Sequence, residues 1–192
     1  MKLHFGNFHI GYNKYIHRMK KYLGIGLLLV VFACKNQSQK ATELKDTTQT
    51  KKSATNLSFQ SDSVQNLYNA YIGLKDALVA TKFEDAKQKA TILATALKNH
   101  SGCENTALIA NKIENAKDIK AQRKEFTALS TDVIALFKHT ELKSGTIYVQ
   151  RCPMANNGDG GEWLASEKKI QNPYYGNEMM ECGAVLEEIK TK

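Results

Sequence analysis

The sequence predicts a mainly α protein: an antiparallel up-down four-helix bundle followed by a small irregular C-terminal lobe with short β-strands. Three observations predict it. Residues 62–142 carry apolar stripes at helical spacing and no strand alternation. Glycine is sparse from Ser58 to Lys143 and frequent from Gly145 to Gly183, and both prolines, Pro153 and Pro173, fall in the last quarter. The connections between stripes are short, which makes consecutive helices antiparallel neighbours.

The first helix reads from Val64, Leu67, Tyr68, Tyr71, Leu74 and Leu78, at offsets 0, 3, 4, 7, 10 and 14, and Ser61 or Asp62 can cap it. The second reads from Phe83, Ala86, Ala90, Leu93, Ala94 and Leu97, and Asn99-His100-Ser101-Gly102 is its stop. Its alanines imply close helix approach. A third, from about Glu104 to Lys117, turns Leu108, Ile109 and Ile113 inward. A fourth, from about Ala121 to Glu141, carries Phe126, Leu129, Val133, Leu136 and Phe137 on one side. Beyond Gly145 the texture becomes β-like: Thr146–Gln150, then a Gly/Asn/Asp turn over 156–161, then a last strand over Val185–Ile189.

Upstream of this body the chain reads as an address. Leu23–Ala33 is an uncharged run of eleven residues preceded by Lys20-Lys21. A membrane span needs about 20 apolar residues, so the run fits a signal-peptide core instead. Val31, Ala33 and Cys34 follow the bacterial lipobox pattern, which makes Cys34 the lipidated N-terminus of an exported chain. Met19-Lys20-Lys21 has the form of a natural start, leaving 1–18 as an upstream extension. The expected organisation is a signal peptide over 1–33 and a lipidated cysteine with a flexible tether over 34–56. The helical bundle then occupies 57–143 and a Cys/Met lobe packed on it 144–192. The tether has almost no large apolar residue with which to offset its ordering entropy.

The formal charge of +8 belongs to the leader and tether. From 57 to 192 there are 17 Lys/Arg and 17 Asp/Glu. A nucleic-acid binder concentrates positive charge on its folded part, so that class is excluded.

Chemistry concentrates in the last segment. Cys152-Pro153-Met154 is a Cys-x-Met pattern, and Met180-Glu181-Cys182 a Met-x-Cys pattern, with Met179 alongside. Two readings stand together. The cysteines form a disulfide, as export permits, worth roughly 3 kcal/mol for a loop of this length. Or the thiolates Cys152 and Cys182 and the thioethers Met154 and Met180 are soft donors that select Cu(I), with Ag(I) or Zn(II) as alternatives. A bland account of the methionines is gap filling in a small core. His139 closes the fourth helix and is either a further ligand or a cation at a helix C-terminus. Cys103 reads as a buried free thiol.

At these residues a resemblance emerges. The stretches LYNAYIGLKDALVA (67–80) and CPMANNGDGGEWLASEKKIQNPYYGNEMMECGAVLEEI (152–189) resemble a family of exported bacterial helical domains of unknown function. The shared features are a Leu-Lys-Asp-Ala-Leu-Val helix, a Cys-Pro-Met-Ala box, a Trp-Leu-Ser step, an Asn-Pro-Tyr-Phe-Gly step and a closing Met-x-x-Cys-Gly or Met-x-Cys-Gly. Here Ala165 precedes Ser166, and Tyr175 stands in the phenylalanine position. Members resemble stand-alone lipoproteins or a domain fused to periplasmic adaptors of copper and silver efflux systems. The resemblance implies a membrane-anchored protein facing the periplasm or cell surface, with an efflux adaptor as partner. The expected function is binding a soft metal ion, most of all Cu(I), for buffering or hand-over. The alternative is a non-catalytic interaction module stapled by Cys152–Cys182. No Cys-x-x-Cys, phosphate loop or nucleophile elbow points to an enzyme.

Overall fold

The computed structural model describes residues 57–191, so the expected signal peptide, lipidated Cys34 and flexible tether lie outside the described residues. Four helices come first: α1 (Asp62–Val79), α2 (Phe83–Lys98), α3 (Glu104–Glu114) and α4 (Ile119–Lys138). A two-residue strand, β1 (Ser58–Phe59), precedes them and pairs antiparallel with β2 (Leu142–Ser144). The lobe is a three-stranded antiparallel sheet of β3 (Thr146–Cys152), β4 (Gly161–Ala165) and β5 (Ala184–Lys190), with β3 in the centre.

The stripes bury as their spacing requires. Leu67, Tyr68, Tyr71, Leu74 and Leu78 of α1 are buried, as are Ala86, Ala90, Leu93, Ala94 and Leu97 of α2. The alanines let α2 lie between α1 and α3. Gly102, at φ +86°, turns the chain from α2 to α3. Asp118 caps α4, its Oδ1 accepting the Ala121 N–H at 2.7 Å. Ser61 holds the cap position of α1, but its hydroxyl pairs with that of Ser63 at 2.8 Å and not with the backbone.

Three expectations change. Leu108 points outward, 60% exposed, because Thr106, Ala107, Ala110 and Ile113 form the buried face of α3. A residue next to Ala107 is rotated about 100° from it around the axis. α3 stops at Glu114 and α4 at Lys138, short of Lys117 and Glu141. The chain after α4 instead forms β2, whose Leu142 is buried and pairs with Phe59.

Two aromatic groups tie the layers. Phe59, Tyr68 and Phe137 pack mutually with ring centroids 5.3–5.4 Å apart, joining β1, α1 and α4. Tyr71, Phe126, Tyr174 and Trp163 form a chain from α1 through α4 into the lobe, at 5.7, 5.8 and 6.1 Å. At its head the buried Tyr71 hydroxyl bonds Ser130 of α4 at 2.6 Å and accepts the Leu164 N–H of β4 at 3.1 Å. The Leu164 N–H on the open edge of β4 is thereby satisfied by a helix side chain.

Replacing Tyr71 by Phe keeps the ring and removes those bonds, leaving a buried N–H unpaired. The expected cost is about 1–3 kcal/mol. Urea unfolding should show a lower midpoint with an unchanged slope. An unchanged midpoint would mean that this joint contributes nothing net.

Candidate thiol and thioether site

β3 ends at Cys152, which lies opposite Gly161 of β4. The returning chain reaches Cys182 just before β5. Gly183, at φ +143°, permits the approach: a Cβ there would sit 2.8 Å from the Arg151 carbonyl oxygen. The result brings Cys152 Sγ and Cys182 Sγ, thirty residues apart in sequence, to 2.7 Å. Cys152 is fully buried and Cys182 partly exposed.

The segment carrying Cys182 is irregular, and Asn172 organises it from within. Its side chain is inaccessible. Its Nδ2 donates to the Cys182 carbonyl at 3.1 Å, and its Oδ1 accepts the Tyr174 N–H at 2.8 Å. Its backbone N–H donates to the Met180 carbonyl at 3.0 Å. Arg123 of α4 fixes the next residue, donating from Nε to the Pro173 carbonyl at 2.9 Å and from Nη2 to the last turn of α1 at Leu78 (3.0 Å). Burial holds the Arg123 guanidinium somewhat below the usual arginine range, with Glu178 opposing. Tyr174 wedges between Trp163 and Phe126 and donates to the Glu162 carbonyl. A Cβ on Gly161 would meet its ring at 2.5 Å.

The Cys-Pro-Met-Ala turn is held by the same elements. Tyr175 donates its hydroxyl proton to the Met154 carbonyl at 2.6 Å. Thr127 of α4 donates to Asn156 Oδ1 at 3.1 Å, and Asn156 Nδ2 donates to the Gly160 carbonyl at 2.8 Å. Met154 is 54% exposed and Met179 37%, while Met180 is half-buried. Their main chains bracket Cys182: the Met154 N–H faces its sulfur, and the Met179 carbonyl accepts its N–H at 3.1 Å.

His139 is not brought to this corner. It is an exposed residue at the C-terminal cap of α4. Thr127, the α4 residue that touches the Cys-Pro-Met-Ala turn, lies twelve residues earlier, about 18 Å along the axis. Cys103 is a free, buried thiol at the start of α3. Among the described residues no three His, Cys, Asp or Glu side chains gather as a metal-binding group. None of the described helices is long and apolar enough to cross a membrane.

Sequence reasoning passed over Asn172, Arg123 and Gln150. The Asn-Pro-Tyr step was the available signal for Asn172, since asparagine beside proline organises turns. Gln150 is fully buried, accepts the Trp163 indole N–H at 2.8 Å and donates to the carbonyls of Glu167, Lys168 and Lys169 at 2.9–3.3 Å.

The Cys182 thiol is pushed up, first by its hydrogen bond to Cys152 and then by burial, with the Met154 N–H opposing. Burial also raises the Cys103 thiol and the Tyr68, Tyr71 and Tyr174 phenols. Unfolded thiols titrate near ~8.5 and phenols near ~10. Above those values the folded chain holds more protons than the unfolded one, so stability falls as pH rises. The reduced protein should show a urea midpoint that declines above about pH 8.5 and more steeply above about pH 10. A midpoint that rises through this range would contradict the assignment.

No curated protein and no solved structure matches this chain. Residues 67–145, from α1 through β2, are similar to a family described as protein of unknown function (DUF3347).

Proposed function

We propose that the Cys152–Cys182 corner takes up a soft metal ion as cargo, Cu(I) before Ag(I), in an exported lipoprotein anchored through Cys34, for buffering or hand-over to a heavy-metal efflux adaptor. The observation that supports this is the convergence of two distant thiols beside exposed methionines whose main chains bracket Cys182. The donor set is two thiols with thioethers. A structural Zn(II) site asks for four Cys, His or carboxylate donors, which do not gather here among the described residues. Low-coordinate sulfur ligation suits Cu(I). Cys152 and Cys182 are the principal ligands on this reading, with Met154 and then Met179 or Met180 completing the set. His139 drops out on position. The helical body, read as an up-down four-helix bundle, is scaffold and docking surface, and no substrate chemistry is needed.

A second reading rests on the same pair. At 2.7 Å the sulfurs stand closer than two thiolates on one ion, which are about 3.8 Å apart for tetrahedral arms of about 2.3 Å. The pair is placed to close as a disulfide by exchange with an external disulfide, which accepts the two electrons and two protons. The lobe would then be the stapled part of a structural or interaction module.

Anaerobic titration of the reduced chain with Cu(I) against a chelator of known affinity separates the two. The metal reading expects one copper per chain, two thiols lost from the titratable count, and at least about a hundredfold weaker binding after Cys152→Ser with Cys182→Ser. Met154→Leu should weaken it by about tenfold or less, consistent with a weak thioether donor. Unchanged affinity in the double variant sinks the metal reading. No uptake, with thiols that re-pair in air, leaves the module.

A further inference from the structure

A cleft of about 250 Å³ opens between the C-terminal half of α1 and the segment that follows β4, separate in its lining from the cysteine corner. Its unusual member is Lys75. This lysine is 4% exposed, on a helix whose other buried residues are mainly apolar. Lysine is almost never this buried without a partner. The ammonium contacts the carboxylate of its chain neighbour Asp76, which is itself 57% exposed. An ammonium has three donors. Asp76 takes one, and among the described residues no other acceptor bonds the remaining two. Burying a charge with donors unspent is costly, and an acceptor arriving in the cleft would offset that cost.

The opposite wall is built before any ligand arrives. The buried Gln150 amide gathers the carbonyls of Glu167, Lys168 and Lys169, which fixes the loop backbone from inside, and Glu167 and Lys169 line the cleft. Glu167 and Lys169 bring one charge of each sign to the exposed rim, and Ser166 and Gln171 bring neutral hydrogen-bonding groups. Val79 and Ala165, both buried, supply a small apolar patch. Summing the lining, Lys75 and Lys169 balance Asp76 and Glu167. A bare anion would unbalance this set, and so would a bare cation. A molecule carrying both charges would not.

We infer that this cleft binds a small zwitterion of the amino-acid type, its carboxylate on the Lys75 ammonium, its ammonium between Asp76 and Glu167, and a short aliphatic side chain against Val79 and Ala165. The volume lies just below the range of ordinary ligand pockets, which limits the ligand to a few heavy atoms. The site does not depend on the reading of the cysteines.

Calorimetric titration of the full chain with L-alanine tests it, with acetate and methylamine as the two halves of the ligand. The expected result is saturable binding of alanine, with each half at least about tenfold weaker. Lys75→Met should weaken alanine by about tenfold or more, and Glu167→Gln, an exposed position that leaves the fold intact, by several-fold. Should Lys75→Met fail to fold, Glu167→Gln decides. The proposal is overturned if alanine, serine and glycine all fail to bind at millimolar concentration, which would make the cleft a water-filled crevice only. It is equally overturned if acetate matches alanine or if neither variant changes the affinity.

Discussion

An irregular stretch of backbone, from Ser166 to Gly183, has to satisfy its polar groups while packed against a core. This constraint governs the rest of the lobe. A strand or helix meets it with its own ladder; a loop needs partners from elsewhere. Two fully buried side-chain amides supply them. Gln150 in β3 collects three successive carbonyls at the start of the stretch. The Asn172 side chain bonds the Tyr174 N–H and the Cys182 carbonyl further along, and its backbone N–H bonds the Met180 carbonyl. Everything chemical in the lobe hangs on one or the other: Gln150 shapes the wall of the Lys75 cleft, and Asn172 sets the position of Cys182.

The helices are the second condition. A three-stranded sheet has two open edges and little core of its own. β4 is closed by α1 and α4, through the Tyr71 hydroxyl and the aromatic chain ending at Trp163. Arg123 performs the matching task for the loop, using one guanidinium to bond the Pro173 carbonyl and the end of α1. The helical layer therefore acts as a rigid floor against which the loop's geometry is fixed. Sheet and helices share one hydrophobic cluster, from Phe59 to Tyr174.

The helical stripes were legible because each follows a single period over three or more turns, and burial agrees at Leu67, Tyr71, Leu93, Phe126 and Val133. Short α3 was less so: in eleven residues, small Ala107 and Ala110 outrank Leu108, since close approach to neighbours favours the small face. β1 and β2 are too short to carry a period at all. At the candidate site, the pairing of Cys152 with Cys182 was legible from their mirrored Cys-x-Met and Met-x-Cys contexts. The buried amides were not, because glutamine or asparagine in a sequence reads as surface until its partners are known. Lys75 was hidden for the same reason, inside an otherwise regular stripe. His139 is thirteen residues from Cys152 in sequence, but it follows the end of α4, twelve residues from Thr127, which bonds the Cys-Pro-Met-Ala turn.

The two thiols are not equivalent, and their inequality bears on either reading of the corner. Cys152, the last residue of β3, is fully buried, whereas Cys182 is partly exposed to solvent. Of the two thiols, Cys182 is therefore the one an incoming thiol, disulfide or ion can reach. That sulfur is held protonated by its contact with Cys152 and by burial, against the pull of the Met154 N–H. A protonated thiol is a poor nucleophile and a poor ligand. A raised thiol pKa lowers the thiolate fraction at neutral pH and so disfavours exchange relative to an unperturbed thiol, and metal uptake on the proposed reading must release protons and so grows more favourable as pH rises. The exposed thioethers carry no such penalty, because a methionine sulfur has no proton to lose. On the proposed reading, a soft ion can engage the exposed thioethers without displacing a proton, whereas each thiol it binds must release one, a difference set by the chemistry of the two kinds of sulfur.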